Sequence, residues 1–145
     1  MIRRILAVIA GLIAGSVFNM GIIMLSWALY PPPKEAMSDP AAMGAYIQSL
    51  PLPAFLIVLI AHAGGALVGG WVAALIARQS SLVLGGIVGG FFLVGGIINV
   101  ISMAAPLWFE IVDLASYIPC GLLGARLAPR RSAAGDASPD AGSGH

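Results

Sequence analysis

The sequence predicts an all-α protein, a four-helix transmembrane bundle (N-in/C-in) with a short amphipathic helix in its first outer loop. Three observations predict this fold. Four long apolar segments follow one another, and basic residues gather at alternate ends of these segments. Charged residues make up only 9% of the 145 positions, whereas hydrophobic residues make up 59%. A soluble domain carries about 25% charged residues, and a chain this short has too much surface for a soluble core of that apolar content.

The first span is residues 5–30, which contain no charged side chain. This length exceeds the approximately 20 residues needed to cross the hydrocarbon core. A cleaved secretory signal, with Ala14-Gly15-Ser16 at the cleavage site, is the alternative, but its apolar region is usually only about 7–15 residues long. Trp27 and Tyr30 are typical of an interfacial aromatic belt. Pro31-Pro32-Pro33 then ends the helix, because proline removes a backbone donor.

The outer loop, residues 31–53, is predicted to hold a short helix. Ser38 or Asp39 caps it, with Pro40 at its first position. Apolar side chains then recur at helical spacing: Ala42, Met43, Tyr46, Ile47 and Leu50. This pattern favours an amphipathic helix lying on the membrane surface, and a loosely ordered loop is the alternative.

Three further spans follow at residues 54–77, 82–103 and 107–127. Pro53 and Pro106 open the second and the fourth span, and short turns join the second to the third and the third to the fourth. These spans complete a membrane domain over residues 1–128. The tail, residues 129–145, lacks the apolar content to order itself, so we expect a disordered cytoplasmic segment.

The basic residues orient this arrangement. With four spans, one side holds Arg3, Arg4, Arg78, Arg126, Arg130 and Arg131. The opposite side holds Lys34 as its one basic residue, together with acidic side chains. The positive-inside rule therefore predicts that both termini lie in the cytoplasm.

Small residues are spaced for close helix packing. Glycines lie three or four positions apart on every span: Gly11 and Gly15, Gly65 and Gly69, Gly85 and Gly89, and Gly121 and Gly124. In lipid, helices associate through such close backbone approach and through interhelical hydrogen bonds. The glycine-rich faces also suit a homo-oligomer, with the lipid bilayer as the other partner.

Each span carries a polar side chain toward its outer end. At 1.5 Å per residue, His62 lies about 12 Å deep, Asp113 about 9 Å and Asn19 about 15 Å. Asn99 and Glu110 lie nearer the surface. Glu110, Asp113 and Tyr117 share one helix face with the glycines of span four, and Pro119 leaves the Ala115 carbonyl without its usual donor, which favours a wet pocket.

These six residues are the candidate site: His62, Asp113, Glu110, Asn19, Asn99 and Tyr117. Because a charge in mid-membrane is costly, Asp113 needs a partner, and His62 is the natural one. The cluster fits three roles. It holds helices together, it forms an outward-facing binding or proton-relay site, or it binds a metal through Glu110, Asp113 and His62. The nearby methionines do not match carboxylate ligands, so we expect no metal.

The sequence lacks the motifs of several common enzyme and cofactor-binding sites. The sequence has no Gly-x-Ser-x-Gly elbow, His-Glu-x-x-His pair, phosphate loop or dinucleotide fingerprint. One cysteine, Cys120, allows neither an intrachain disulfide nor a cysteine-based zinc cluster. The net charge of +1 gives no signal for nucleic acid. We therefore expect no enzymatic activity, no cofactor and no nucleic-acid partner.

Several short motifs lie along the chain: Asn19-Met20, Pro31-Pro32-Pro33, Ala61-His62-Ala63, Ala105-Pro106-x-Trp108-Phe109, Asp113-Leu114 and Tyr117-Ile118-Pro119. Together they resemble a group of small four-span bacterial inner-membrane proteins of unknown function, and the similarity covers about residues 3–127. The group has Pro-Ala-Pro before its span-four aromatics, whereas Ala104 stands here in place of the first proline. The resemblance implies a four-span fold and an inner-membrane location, and it implies nothing about mechanism.

The sequence therefore predicts an integral membrane protein that serves as a non-enzymatic interaction or packing module. The alternative is a carrier or channel for a small solute or protons, using His62 and Asp113.

Overall fold

The computed structural model describes residues 1–77, 82–103 and 105–129, and these residues form helices and connections without a strand. Five α-helices occur in this part of the chain: α1 (Ile2–Leu29), α2 (Pro40–Ser49), α3 (Leu52–Ala77), α4 (Leu82–Ser102) and α5 (Leu107–Leu127). A short 3-10 helix spans Lys34–Met37. Of the five α-helices, all except α2 are long and apolar enough to cross a membrane, which confirms the four expected spans.

The helix ends differ slightly from the expected spans. α1 begins at Ile2 rather than at residue 5, and Arg3 Nε donates a hydrogen bond to the Ile76 carbonyl at 2.9 Å. This bond gives the last turn of α3 a partner for one of its free carbonyls. α3 begins at Leu52, ahead of Pro53, because proline is tolerated in the first turn of a helix. The turn at 78–81, Ala104 and the expected disordered tail from residue 130 lie outside the described residues.

Large apolar side chains lie on the outer surface of the bundle, and small residues fill much of its interior. Large side chains such as Ile13, Phe91 and Ile111 are each 60% exposed. The buried positions of α3 are mostly alanine and glycine. A soluble protein has the reverse arrangement, whereas lipid solvates large apolar side chains and leaves small residues for helix contacts.

The helix α3 lies at the centre and contacts α1, α4 and α5. Gly11 and Gly15 of α1 pack against Gly69 and Gly65 of α3, so these two helices are antiparallel. These two glycine contacts hold α1 close against α3.

α5 packs against α3 in the same direction and against α4 in the opposite direction. Gly121 faces both Gly70 of α3 and Gly85 of α4, and a methyl group on Gly124 would overlap the Leu67 carbonyl. Glycine is required at these places because backbone meets backbone. The one loose pair is α1 and α4, which contact each other much less than the other neighbouring helices do.

The loop between α1 and α3 is ordered by two polar contacts. The Asp39 side chain accepts a hydrogen bond from the Ala41 amide and caps α2, with Pro40 in the first turn. The Tyr46 hydroxyl donates to the Tyr30 carbonyl at 2.5 Å, and burial raises the pKa of this phenol above its ordinary value. This hydrogen bond ties α2 to the end of α1.

We expect Gly124→Ala to lower the thermal stability of the detergent-solubilised protein. The added methyl group pushes α5 away from α3, and overpacking of this kind costs about 1–3 kcal/mol. Gly90→Ala is the matched control, because a methyl group there meets nothing within 4 Å, and alanine is the better helix former. Equal melting temperatures for the two variants would contradict the packing described here.

Candidate functional site

The register between α3 and α5 is set by aromatic side chains at the end of the bundle next to the α1–α3 loop, the loop end. The ring of Phe55 packs against Phe109 and Trp108, with centroids 5.2 and 5.7 Å apart. Both helices start here and run in the same direction. Their polar side chains in the following turns therefore lie at matching depth.

Asp113 lies at the centre of this polar layer and is only 2% exposed. Its Oδ1 is 2.9 Å from His62 Nδ1, and its Oδ2 accepts a hydrogen bond from the Tyr117 hydroxyl at 3.0 Å. The Nδ1–H form of the imidazole donates to the carboxylate. Both carboxyl oxygens are thus satisfied from two helices, as a buried acid requires. We call His62, Asp113 and Tyr117 the polar triad.

The Tyr117 ring lies against two other rings. It stacks on His62 with centroids 5.9 Å apart and on Phe92 of α4 with centroids 6.4 Å apart. Its edge lies over Gly96, where a methyl group would overlap the ring. The ring therefore needs glycine on α4, and the triad is positioned by three helices together.

A groove of about 490 Å³ opens beside the triad, between α1 and α4. It forms where these two helices separate, and His62 and Tyr117 line its base from α3 and α5. Its apolar lining is Leu12, Phe91, Phe92, Gly95 and Gly96, and its polar lining is Ser16, Asn19, His62, Asn99 and Tyr117. The volume falls within the range of small-molecule sites in proteins, about 300–1,000 Å³.

Asn19 lines this groove, and one atom of its amide is buried against the protein. Its Oδ1 is buried and has no hydrogen-bond partner among the described residues. The Cβ of Asn19 lies beside Gly65, one helical turn along α3 from His62. Both side chains lie about 15 Å along their helices from the loop end. The Asn19 amide and the His62 imidazole therefore lie at the same depth in the bundle.

The other predicted site residues lie away from the triad. Asn99 lines the groove nearer the loop end and is exposed, while Glu110 is partly buried and does not line the groove. Neither makes a side-chain hydrogen bond within the described part of the chain. Phe109, rather than Glu110, is the buried residue in the first turn of α5, because it packs on Phe55.

The proline in α5 does not line the groove. The helix continues through Pro119, and both Pro119 and Ala115 are exposed on its outer face. The freed Ala115 carbonyl therefore lies away from the groove, contrary to the expected wet pocket at this place. In residues 1–77, 82–103 and 105–129, no three His, Cys, Asp or Glu side chains lie close enough together to hold a metal ion.

The candidate site did not include the groove residues Leu12, Ser16, Phe91 and Phe92. A helical repeat pointed to two of them, Ser16 and Phe92. Ser16 lies between Leu12 and Asn19 at the i, i+4, i+7 positions of α1, and Phe92 precedes Gly96 and Asn99 with the same spacing on α4. The two walls of the groove thus carry the same pattern of positions.

Comparison of the chain with protein-family models, with curated proteins and with solved structures found no match. These comparisons provide no support for the family membership or the bacterial origin that the sequence motifs imply.

Proposed function

We propose that this chain is a non-enzymatic interaction protein of the bacterial inner membrane that binds a small uncharged molecule in the groove between α1 and α4. The bilayer is its solvent, both termini are cytoplasmic, and the loop end with α2 faces outward. Nucleic acid and cofactors have no part in this function. The glycine-rich faces that remain outside the bundle suit a homo-oligomer.

The observation that carries this proposal is the groove itself, whose volume of about 490 Å³ falls within the range of small-molecule sites. In the described part of the chain, its lining combines apolar and polar side chains and contains no Lys, Arg, Asp or Glu, which favours an uncharged ligand. At its base lies His62, whose Nδ1 is held by Asp113 and whose Nε2 is therefore left for a ligand.

For a single copy of the chain, ligand binding is better supported than conduction of a solute across the membrane. Beyond the triad, away from the loop end, Gly70, Gly85 and Gly121 bring three helices into backbone contact. Val88 and Ala73 are fully buried in the adjoining core. The groove therefore does not continue between α3, α4 and α5.

The second candidate is a proton-coupled carrier, and the polar triad favours it. Asp113, His62 and Tyr117 are all titratable and are joined by hydrogen bonds. A carrier also needs a route to the other side of the membrane. In this hypothesis the route forms between copies of the chain or by movement of α1 away from α4.

The binding proposal is tested by thiol labelling of the groove. In a Cys120→Ala background, we expect Gly95→Cys to react with N-ethylmaleimide at least about tenfold faster than Gly90→Cys, because water enters the polar groove and a thiol reacts as its hydrated thiolate. Both glycines lie on α4 with open space around a Cβ, but only Gly95 lines the groove. Equal rates for the two thiols would refute the proposed site.

The packing alternative is tested by His62→Ala and Asp113→Asn. If the triad serves chiefly to hold α3 to α5, each variant loses about 3–5 kcal/mol, as expected when one partner of a buried pair is removed. If the triad serves the groove, each loses about 1 kcal/mol, which is typical of interhelical hydrogen bonds in membranes. Unfolding in detergent measures the difference, and a large loss in both variants would argue against the proton-relay role of the triad.

The orientation is tested by labelling of cysteine-free chain in intact cells. A thiol introduced as Ser38→Cys in the exposed loop should react with a membrane-impermeant maleimide added from outside. A thiol introduced as Leu127→Cys at the end of α5 should react only after the membrane is opened. The reverse result would place the termini outside.

A further inference from the structure

A second cavity, of about 240 Å³, lies at the loop end, where the connection between α1 and α3 approaches the end of α4. Its walls come from the short 3-10 helix, the first half of α2 and the last residues at α4. Three of the six methionines of the chain line it: Met37, Met43 and Met103. The fold therefore brings three thioether side chains from separate segments to one cavity, which we call the methionine cavity.

The exposure of these methionines does not fit a role in filling the core. Met37 is 60% exposed and Met103 is 45% exposed, while Met43 is partly buried. A methionine that fills a gap between helices is enclosed by other side chains. Methionine is also unbranched and has three rotatable bonds, so the three sulfur atoms can turn toward one point without a change of the backbone.

The polar groups around the methionine cavity favour a cation. The hydroxyls of Ser38 and Ser102 each donate to a backbone carbonyl, at 3.3 and 2.8 Å. The backbone amides of Asp39, Met43 and Met103 also donate to backbone carbonyls. Because these donors are already used, the lining offers a ligand mainly the lone pairs of sulfur and oxygen. Among the described residues, Asp39 is the one charged residue of the lining, and its charge is negative.

The donor set selects the kind of cation. Thioether sulfur is a soft ligand and prefers Cu(I) to hard or divalent ions. Mg²⁺ and Ca²⁺ need six or more oxygen ligands, whereas the described lining contains one carboxylate. One carboxylate also balances the single charge of a monovalent ion. The polar triad and the groove share no residue with this cavity, so the absence of a metal expected for the buried polar layer does not apply here.

We propose that Met37, Met43 and Met103 bind one soft monovalent cation, Cu(I) or Ag(I), through their thioether sulfurs. The site lies outside the groove and is independent of the ligand that the groove takes. In the orientation proposed above it faces the outside of the cell, where an ion reaches it from water without entering the bilayer.

The experiment follows the methionine methyl groups by NMR. Protein carrying Cys120→Ala, which removes the one thiol, is labelled with ¹³C at the methionine methyl groups and titrated in detergent with Ag(I) in chloride-free buffer. We expect three of the six methyl signals to shift and to saturate at one Ag(I) per chain. The signals of Met20 and Met24, which lie on the exposed face of α1 away from the cavity, should not shift.

Substitutions assign the signals and test each ligand. Met37→Leu, Met43→Leu and Met103→Leu keep the volume of the side chain and remove the sulfur, so the fold should be retained. Each should weaken Cu(I) binding at least about tenfold, measured by competition with bicinchoninate, because loss of a ligand costs no less than loss of a group that only supports one. Met24→Leu is the matched control, since Met24 is 63% exposed, and it should leave the affinity unchanged.

Three results would overturn the proposal. Equal shifts of all six methyl signals would show that Ag(I) binds exposed thioethers without a specific site. Shifts of the same signals with Mg²⁺, together with loss of binding in Asp39→Asn but not in the leucine variants, would show a hard-cation site at the carboxylate. Absence of any shift with Ag(I) would show that the three sulfurs do not converge. The titration uses protein with all six methionines, so it decides the question even where a leucine variant melts early.

Discussion

Backbone contact between α3 and α5 is the constraint on which the rest of the structure depends. Helices in lipid gain little from apolar burial, so they approach closely only where both surfaces are small. Gly70 against Gly121 and Leu67 against Gly124 provide this approach. The close pair then brings His62 within 2.9 Å of Asp113. With larger residues at the seam, the carboxylate would lie in mid-membrane without its imidazole partner.

The triad and the groove contain different kinds of polar group. Asp113 is fully satisfied by protein atoms, so its charge or proton is already accommodated. The polar side chains of Ser16 and Asn19 instead line the place where α1 and α4 separate. A buried polar group with partners stabilises a packing arrangement, whereas polar side chains that line an open groove orient a ligand. This difference is why the groove, rather than the acid, determines the proposed function.

Much of the fold follows from the sequence because the membrane imposes simple rules. The lengths of the apolar segments and the prolines at their ends predicted four spans. The helical repeat on α5 placed Asp113, Tyr117 and Gly121 on one face, and all three are buried. The same repeat did not reveal that Glu110 lies outside the contact layer, because the neighbouring Phe109 packs better on Phe55. It also gave no sign that α1 and α4 separate, since a gap between two helices depends on the side chains of both.

The seam between α1 and α3 has a consequence for biosynthesis. Gly15 finds its partner Gly65 fifty positions later in the chain, and ribosomes add about 5–20 residues per second. α1 therefore spends about 3–10 s in the bilayer before α3 has been made. During this interval the amide of Asn19 has no protein neighbour to shield it from hydrocarbon. A translocon or chaperone that retains α1 over this period would spare it an early and incorrect association with another helix.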